Sequence, residues 1–190
     1  MRFILASSSP QRKTLLAGIG VSFDVIASSV DEFACTEADP AKRASILARL
    51  KADDVQRKHP DAMVLGCDTL VVAHDGTLLE KPKDAKDAER MLRLQSGNVS
   101  TVHSGLCLIA PSAREEGISS SRVHFKKLSE EEIAWWISTN QWKERSGGFQ
   151  IDGQGQLMIC SLEGDWTSVV GLPVFLLGEL MEKIGMAIEG

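Results

Sequence analysis

Asp68 stands inside an apolar run, Gly66-Cys-Asp-Thr-Leu70, with Met63-Val-Leu65 before it and Val71-Val-Ala73 after it. Neighbours of that kind imply partial burial, and a buried carboxylate normally has a cation, a metal or a catalytic task. Other charged residues stand near it in chain order: Asp31-Glu32 follow a strand-like stretch, Lys51 falls in a helical one, and Lys81 precedes Pro82 after a turn. Taken singly, each reads as solvated surface, because these types are rarely buried unpaired. Taken together, two lysines and two acidic positions could hold a divalent ion between triphosphate oxygens while one carboxylate activates water, the usual requirements of phosphoryl chemistry.

Ser7-Ser-Ser-Pro-Gln-Arg12 lies between an apolar run and a helical one. Backbone N–H groups at such a junction point outward and the helix dipole favours an anion, so serine hydroxyls and Arg12 could complete a phosphate cradle. The spacing fits equally a Ser9 N-cap with Pro10 in the first turn, and by itself the cap is the first reading. Gly147-Gly-Phe-Gln-Ile-Asp-Gly-Gln-Gly155 is too glycine-dense for a helix and lacks the order of the common nucleotide loops. Phe149 there could stack on a base or fill the core beside a tight turn. Trp135, Trp136, Trp142 and Trp166 read as packing residues, and the four histidines are too scattered to pair as zinc ligands.

The elements that must position these groups follow from periodicity. Phe3–Ala6 reads as a buried strand, 12–17 as a helix, 21–27 as a second strand, and 40–58 as a helix with Pro40 in its first turn. Two strand-like runs, 63–67 and 70–73, are interrupted by Asp68. An Asp-Gly turn follows at 75–76, then a helix over 84–94, strands over 101–109 and 120–127 joined through a polar segment at 111–117, and a helix opened by a Ser129/Glu132 capping box. A last amphipathic helix spans 174–184. No repeat or linker divides the 190 residues, which read as one α/β domain with a mixed sheet.

A net charge of −5 at pH 7 argues against a broad nucleic-acid footprint, which needs a clustered positive face. No stretch approaches the ~20 apolar residues that span a bilayer, and the first apolar stretch is too short for a signal peptide, so no membrane association and a cytoplasmic location are expected. The four cysteines form no CxxC pair and read as buried thiols in a reducing compartment.

Several short patterns in one order along the chain resemble the Maf family of nucleoside triphosphate pyrophosphatases, also called septum-formation-inhibitor-like proteins. They are Leu5-Ala-Ser-Ser-Ser-Pro-Gln-Arg-Lys-Thr-Leu-Leu16, Val30-Asp-Glu32, Leu50-Lys-Ala52, Gly66-Cys-Asp-Thr69, Glu80-Lys-Pro82, Met91-Leu92 followed by Ser96-Gly97, Gly147-Gly-Phe149 with Gly153, and Val170-Gly-Leu-Pro173. The resemblance implies one α/β domain over 1–190, with a mixed twisted sheet, flanking helices and two lobes around a cleft. It implies cleavage of a nucleoside triphosphate between the α and β phosphates with a divalent cation, Mg²⁺ or Mn²⁺, and frequent homodimers. By matching position, Asp68 is the base, Ser7, Arg12, Lys51 and Lys81 bind phosphate, and Glu32 and Asp68 hold the metal.

Base selection falls to Gln11, Thr69 and Asp152. Members preferring thymidine or uridine triphosphate resemble Arg, Thr and Gln at these positions, and members preferring 7-methylguanosine triphosphate resemble Trp, Gln and Glu. This chain matches the first group at Thr69 and lies nearer the second at Asp152. An ionised carboxylate only accepts hydrogen bonds and so suits a base that offers N–H donors. Arg145 stands where a lysine is common. Two other readings are a nucleotide-binding regulator of cell division with little chemistry and a metal hydrolase of another ester.

Overall fold

The computed structural model describes residues 1–186. Strand β1 (Phe3–Leu5) is buried at all three positions, as an apolar run with parallel neighbours on both sides should be. Helix α1 (Pro10–Gly18) follows, then β2 (Asp24–Val25), a 3₁₀ turn at Glu32–Ala34, α2 (Pro40–Gln56), β3 (Met63–Val72), β4 (Leu78–Leu79) and α3 (Ala85–Gln95). The chain continues with β5 (Val99–Ala110), β6 (Ala113–Phe125), α4 (Glu130–Ser138), β7 (Ile159–Glu163), α5 (Trp166–Val170) and α6 (Val174–Lys183). The seven strands form one mixed sheet in the order β2-β1-β3-β5-β6-β7, with β4 on β3. The fold class is α/β, a mixed sheet with flanking helices.

The chain divides into two compact units: Met1–Thr69 with Ser104–Ser119 and the residues from Gly171 on, and Leu70–His103 with Ser120–Val170. In the first unit, alternation along β1 sends Phe3 and Leu5 to one face and Ile4 and Ala6 to the other. The first face packs against Leu16 of α1 and Leu177, Leu180 and Met181 of α6. The second packs against Ala48, Ala52 and Val55 of α2. Helix α2 can lie close because β3 has no side chain at Gly66, where a Cβ would fall 2.1 Å from the Ala48 carbonyl oxygen. The second unit has its own core around Trp136, Leu79, Leu92, Val102 and Val123.

Several boundaries differ from the sequence reading. Asp68 does not interrupt a strand: β3 runs through it, because its carboxylate finds a partner without leaving the ladder. Helix α1 begins at Pro10, two residues before the expected 12–17 span, because the Ser9 cap and Pro10 open it. The strand expected over 21–27 contracts to Asp24–Val25. The polar segment 111–117 is mostly strand: β6 starts at Ala113 and alternates half-buried and exposed positions, so its polarity marks a water-facing side and not a loop. Strand β7 and helix α5 carried no legible period. The capping box opening α4 is present. Cys67 and Cys107 are buried thiols, whereas Cys160 is exposed, and all four cysteines are free. Among the described residues no helix is long and apolar enough to cross a membrane.

Candidate active site

Helix α2 places Lys51 by its spacing. Ala44, Leu47, Ala48, Lys51, Ala52 and Val55 are buried and recur as one helical stripe, so a lysine sits where the core-facing row requires an apolar residue. Its Nζ donates to Asp68 Oδ1 at 2.5 Å and lies 2.8 Å from Glu32 Oε1. The side chains of Lys51 and Asp68 are only 9% and 5% exposed, while Glu32 is 52% exposed. The inner pair is therefore a buried ion pair, and the outer carboxylate meets solvent. Asp68 Oδ2 is buried and has no hydrogen-bond partner. Such an atom is costly to leave unmatched, and it marks where a proton, a water or a cation would be accepted.

Glu32 is delivered by an anchor behind it. Asp54, buried on α2, accepts hydrogen bonds from the backbone N–H of Ser29 at 2.8 Å and from its hydroxyl at 3.0 Å, which ties the stretch leading to Glu32 onto the helix. The Ser29 amide, together with Lys58, holds the Asp54 carboxyl down from 3.8 to about 2, against the opposing effect of burial.

The serine loop and α1 build the other half. Ser9 is the N-cap of α1, accepting from the Arg12 amide at 3.5 Å, with Pro10 in the first turn. The cap reading is thus correct for Ser9. Ser7 does something else: it is buried, and its hydroxyl accepts from Arg12 Nη1 at 3.1 Å. Arg12 Nε donates to the Gly171 carbonyl at 2.8 Å, and Nη2 donates to Thr69 Oγ1 at 3.2 Å. Gln11 turns its Oε1 onto the Ser9 hydroxyl at 3.1 Å. Cys67, between the two halves in sequence, is pushed up to about 11 by burial, so it remains a thiol and not a nucleophile.

The first unit thus gathers two groups, Glu32, Lys51 and Asp68 against α2 and Ser7, Gln11, Arg12 and Thr69 at the start of α1, joined along β3 by the neighbours Asp68 and Thr69. Lys81 and Asp152 lie in the second unit. There Lys81 is exposed and 2.9 Å from Glu144, and Asp152 is half-buried at the head of the 3₁₀ turn Gly153–Met158, with no side-chain capping bond. Burial holds the Arg145 guanidinium below its usual range, with Asp152 acting in the opposite sense. Phe149 is a core residue, edge-on to Phe125 with ring centroids 4.9 Å apart, so the stacking reading is withdrawn. Ser104 and Gly171 escaped the sequence reading. The Gly171-Leu-Pro173 signal was visible, but nothing local says that its carbonyl receives an arginine 159 positions away.

Among the described residues no cluster of three or more His, Cys, Asp or Glu could hold a metal by itself. Glu32 and Asp68 both reach the Lys51 ammonium, and the orphaned Oδ2 of Asp68 is the buried oxygen that suits a hard cation of the Mg²⁺ type, which is commonly held by one or two carboxylates with phosphate oxygens and water completing its shell.

Fold and site together describe an α/β protein with a buried carboxylate–lysine pair and an arginine clamped by three hydrogen bonds. The family described as Maf-like protein matches residues 2–184, and the chain belongs to that family. Curated relatives include the dTTP/UTP pyrophosphatase of Deinococcus radiodurans, 40% identical over 189 residues, 100% of this chain and 96% of that protein. The dTTP/UTP pyrophosphatase of Pyrococcus furiosus is 38% identical over 183 residues, 95% of this chain and 94% of that protein. Among solved structures, the Ham1 protein of Staphylococcus aureus is 12% identical with a TM-score of 0.47, over 66% of this chain and 72% of that one.

Proposed function

We propose that this chain hydrolyses a nucleoside triphosphate to the monophosphate and pyrophosphate, with Asp68 as the base. The observation that carries this reading is the orphaned Oδ2 of Asp68, buried beside an Oδ1 already occupied by Lys51. Water attacks the α-phosphorus and its proton passes to Asp68 Oδ2. The bond from the α-phosphorus to the oxygen bridging to the β-phosphorus breaks, and pyrophosphate leaves with that oxygen. Lys51 keeps Asp68 oriented and, with Arg12 and Ser7, meets the negative charge of the phosphates. Lys81 is assigned to the phosphates by its place in the Glu80-Lys-Pro82 pattern. Glu32 and Asp68 are the residues that would hold a divalent cation, which supplies charge neutralisation at the phosphate oxygens.

The relatives' printed activity favours thymidine and uridine triphosphates as substrates, and Thr69 agrees with it. Asp152 favours a base that presents N–H donors. Purified protein should be given a panel of thymidine, uridine, guanosine and 7-methylguanosine triphosphates, with phosphate and pyrophosphate both measured. Pyrophosphate release from a preferred triphosphate is expected, and Asp68→Asn should lower turnover by about 10²–10⁴-fold. Full turnover in that variant would remove Asp68 from the mechanism, and release of single phosphates would refute the bond assignment. Strict thymidine preference would take Asp152 out of base reading. Nucleotide binding without any turnover would favour the regulator.

A further inference from the structure

A long arginine side chain ordinarily keeps many rotamers, and ordering it carries an entropic cost. Arg12 is nonetheless fixed by its Nε on the Gly171 carbonyl, by Nη1 on Ser7 Oγ and by Nη2 on Thr69 Oγ1. The last bond depends on a half-buried hydroxyl that must itself be held. Thr69 Oγ1 lies 2.8 Å from Ser104 Oγ and 3.5 Å from the Gly171 carbonyl. A hydroxyl has one proton to give and two lone pairs to accept with. With Arg12 occupying one lone pair, Ser104 is the near partner for what remains, and hydrogen bonds in such a chain strengthen one another. Ser104 lies on β5 and is fully buried, so its oxygen is a fixed point.

We infer that Ser104 is a positioning residue: through Thr69 it sets the orientation of the Arg12 guanidinium. The kinetic consequence rests on the phosphate-gripping role of Arg12 proposed above, while the structural consequence does not. Ser104→Ala removes the partner without adding bulk to the buried site. Its kcat/KM for the preferred triphosphate should fall about fivefold, the weight of one net hydrogen bond. Ser104→Thr, which keeps the hydroxyl, should restore most of the rate. In an Arg12→Ala background the same Ser104→Ala change should have no further effect, whereas a merely structural role would lower the rate there too.

A second readout does not need turnover. The guanidinium NMR signals of Arg12, assigned with Arg12→Lys, should be resolved in the native chain and averaged by rotation in Ser104→Ala. Unchanged guanidinium signals, or an equal loss of rate with and without Arg12, would overturn the inference. Should the native chain release no pyrophosphate from any triphosphate, the functional reading falls and the guanidinium signals still decide the role of Ser104.

Discussion

Replacing Lys51 by Met isolates the energetic core of the site. The substitution keeps length and helix propensity, so α2 itself should be little affected. The ammonium that bridges Glu32 and Asp68 is lost. Glu32 is 52% exposed and can be solvated in its place; Asp68, at 5%, cannot. Its Oδ1 then joins an Oδ2 that has no partner, leaving a buried carboxylate unmatched on both oxygens. Breaking one side of a buried pair costs about 3–5 kcal/mol, and burial of the Met side chain offsets part of it, so a net loss of about 3 kcal/mol is expected. For a chain of this size that corresponds to a fall in Tm of roughly 6–12 °C. Urea titration followed by circular dichroism measures the difference, with thermal melting as a check. Adding Asp68→Asn to Lys51→Met should restore stability by about 2 kcal/mol, because the stranded charge is then gone. A Lys51→Met variant within about 1 kcal/mol of the native chain, or no recovery in the double variant, would refute the account of Lys51 and Asp68 as a mutually dependent buried pair.

Two other perturbations test what holds the site. Gly66→Ala places a Cβ 2.1 Å from the Ala48 carbonyl oxygen, so α2 must lift from β3; urea titration should show a loss of about 3 kcal/mol or more. Because the folded Asp54 carboxyl is held down from 3.8 to about 2, its contribution is present above pH 4 and is lost as pH falls from about 4 to about 2. Accordingly the stability gap between the native chain and Asp54→Asn should be constant near neutrality and close across that acid window. A gap that instead widened on acidification would show that the Ser29 anchor is not electrostatic.

The sequence by itself placed Asp68 among buried strand-like residues, though as a break between two runs, Lys51 on a helix and the serine run at a strand-to-helix junction, because those inferences need only local patterning. The 3.6-residue stripe even contained the signal that Lys51 faces the core, since Ala44, Ala48, Ala52 and Val55 share its row. It also offered Ser9 as a cap beside the phosphate-cradle reading, since a cap is settled within four residues. The tertiary structure decided what those groups do to one another. Which oxygen of Asp68 meets Lys51, that Glu32 reaches the same ammonium, and that Arg12 is clamped by Ser7, Thr69 and Gly171 are contacts between distant parts of the chain, where sequence spacing carries no distance information. Phe149 and the 111–117 segment show the same limit from the other side. An aromatic beside glycines and a polar run are each compatible with two environments, and only packing in three dimensions selects between them.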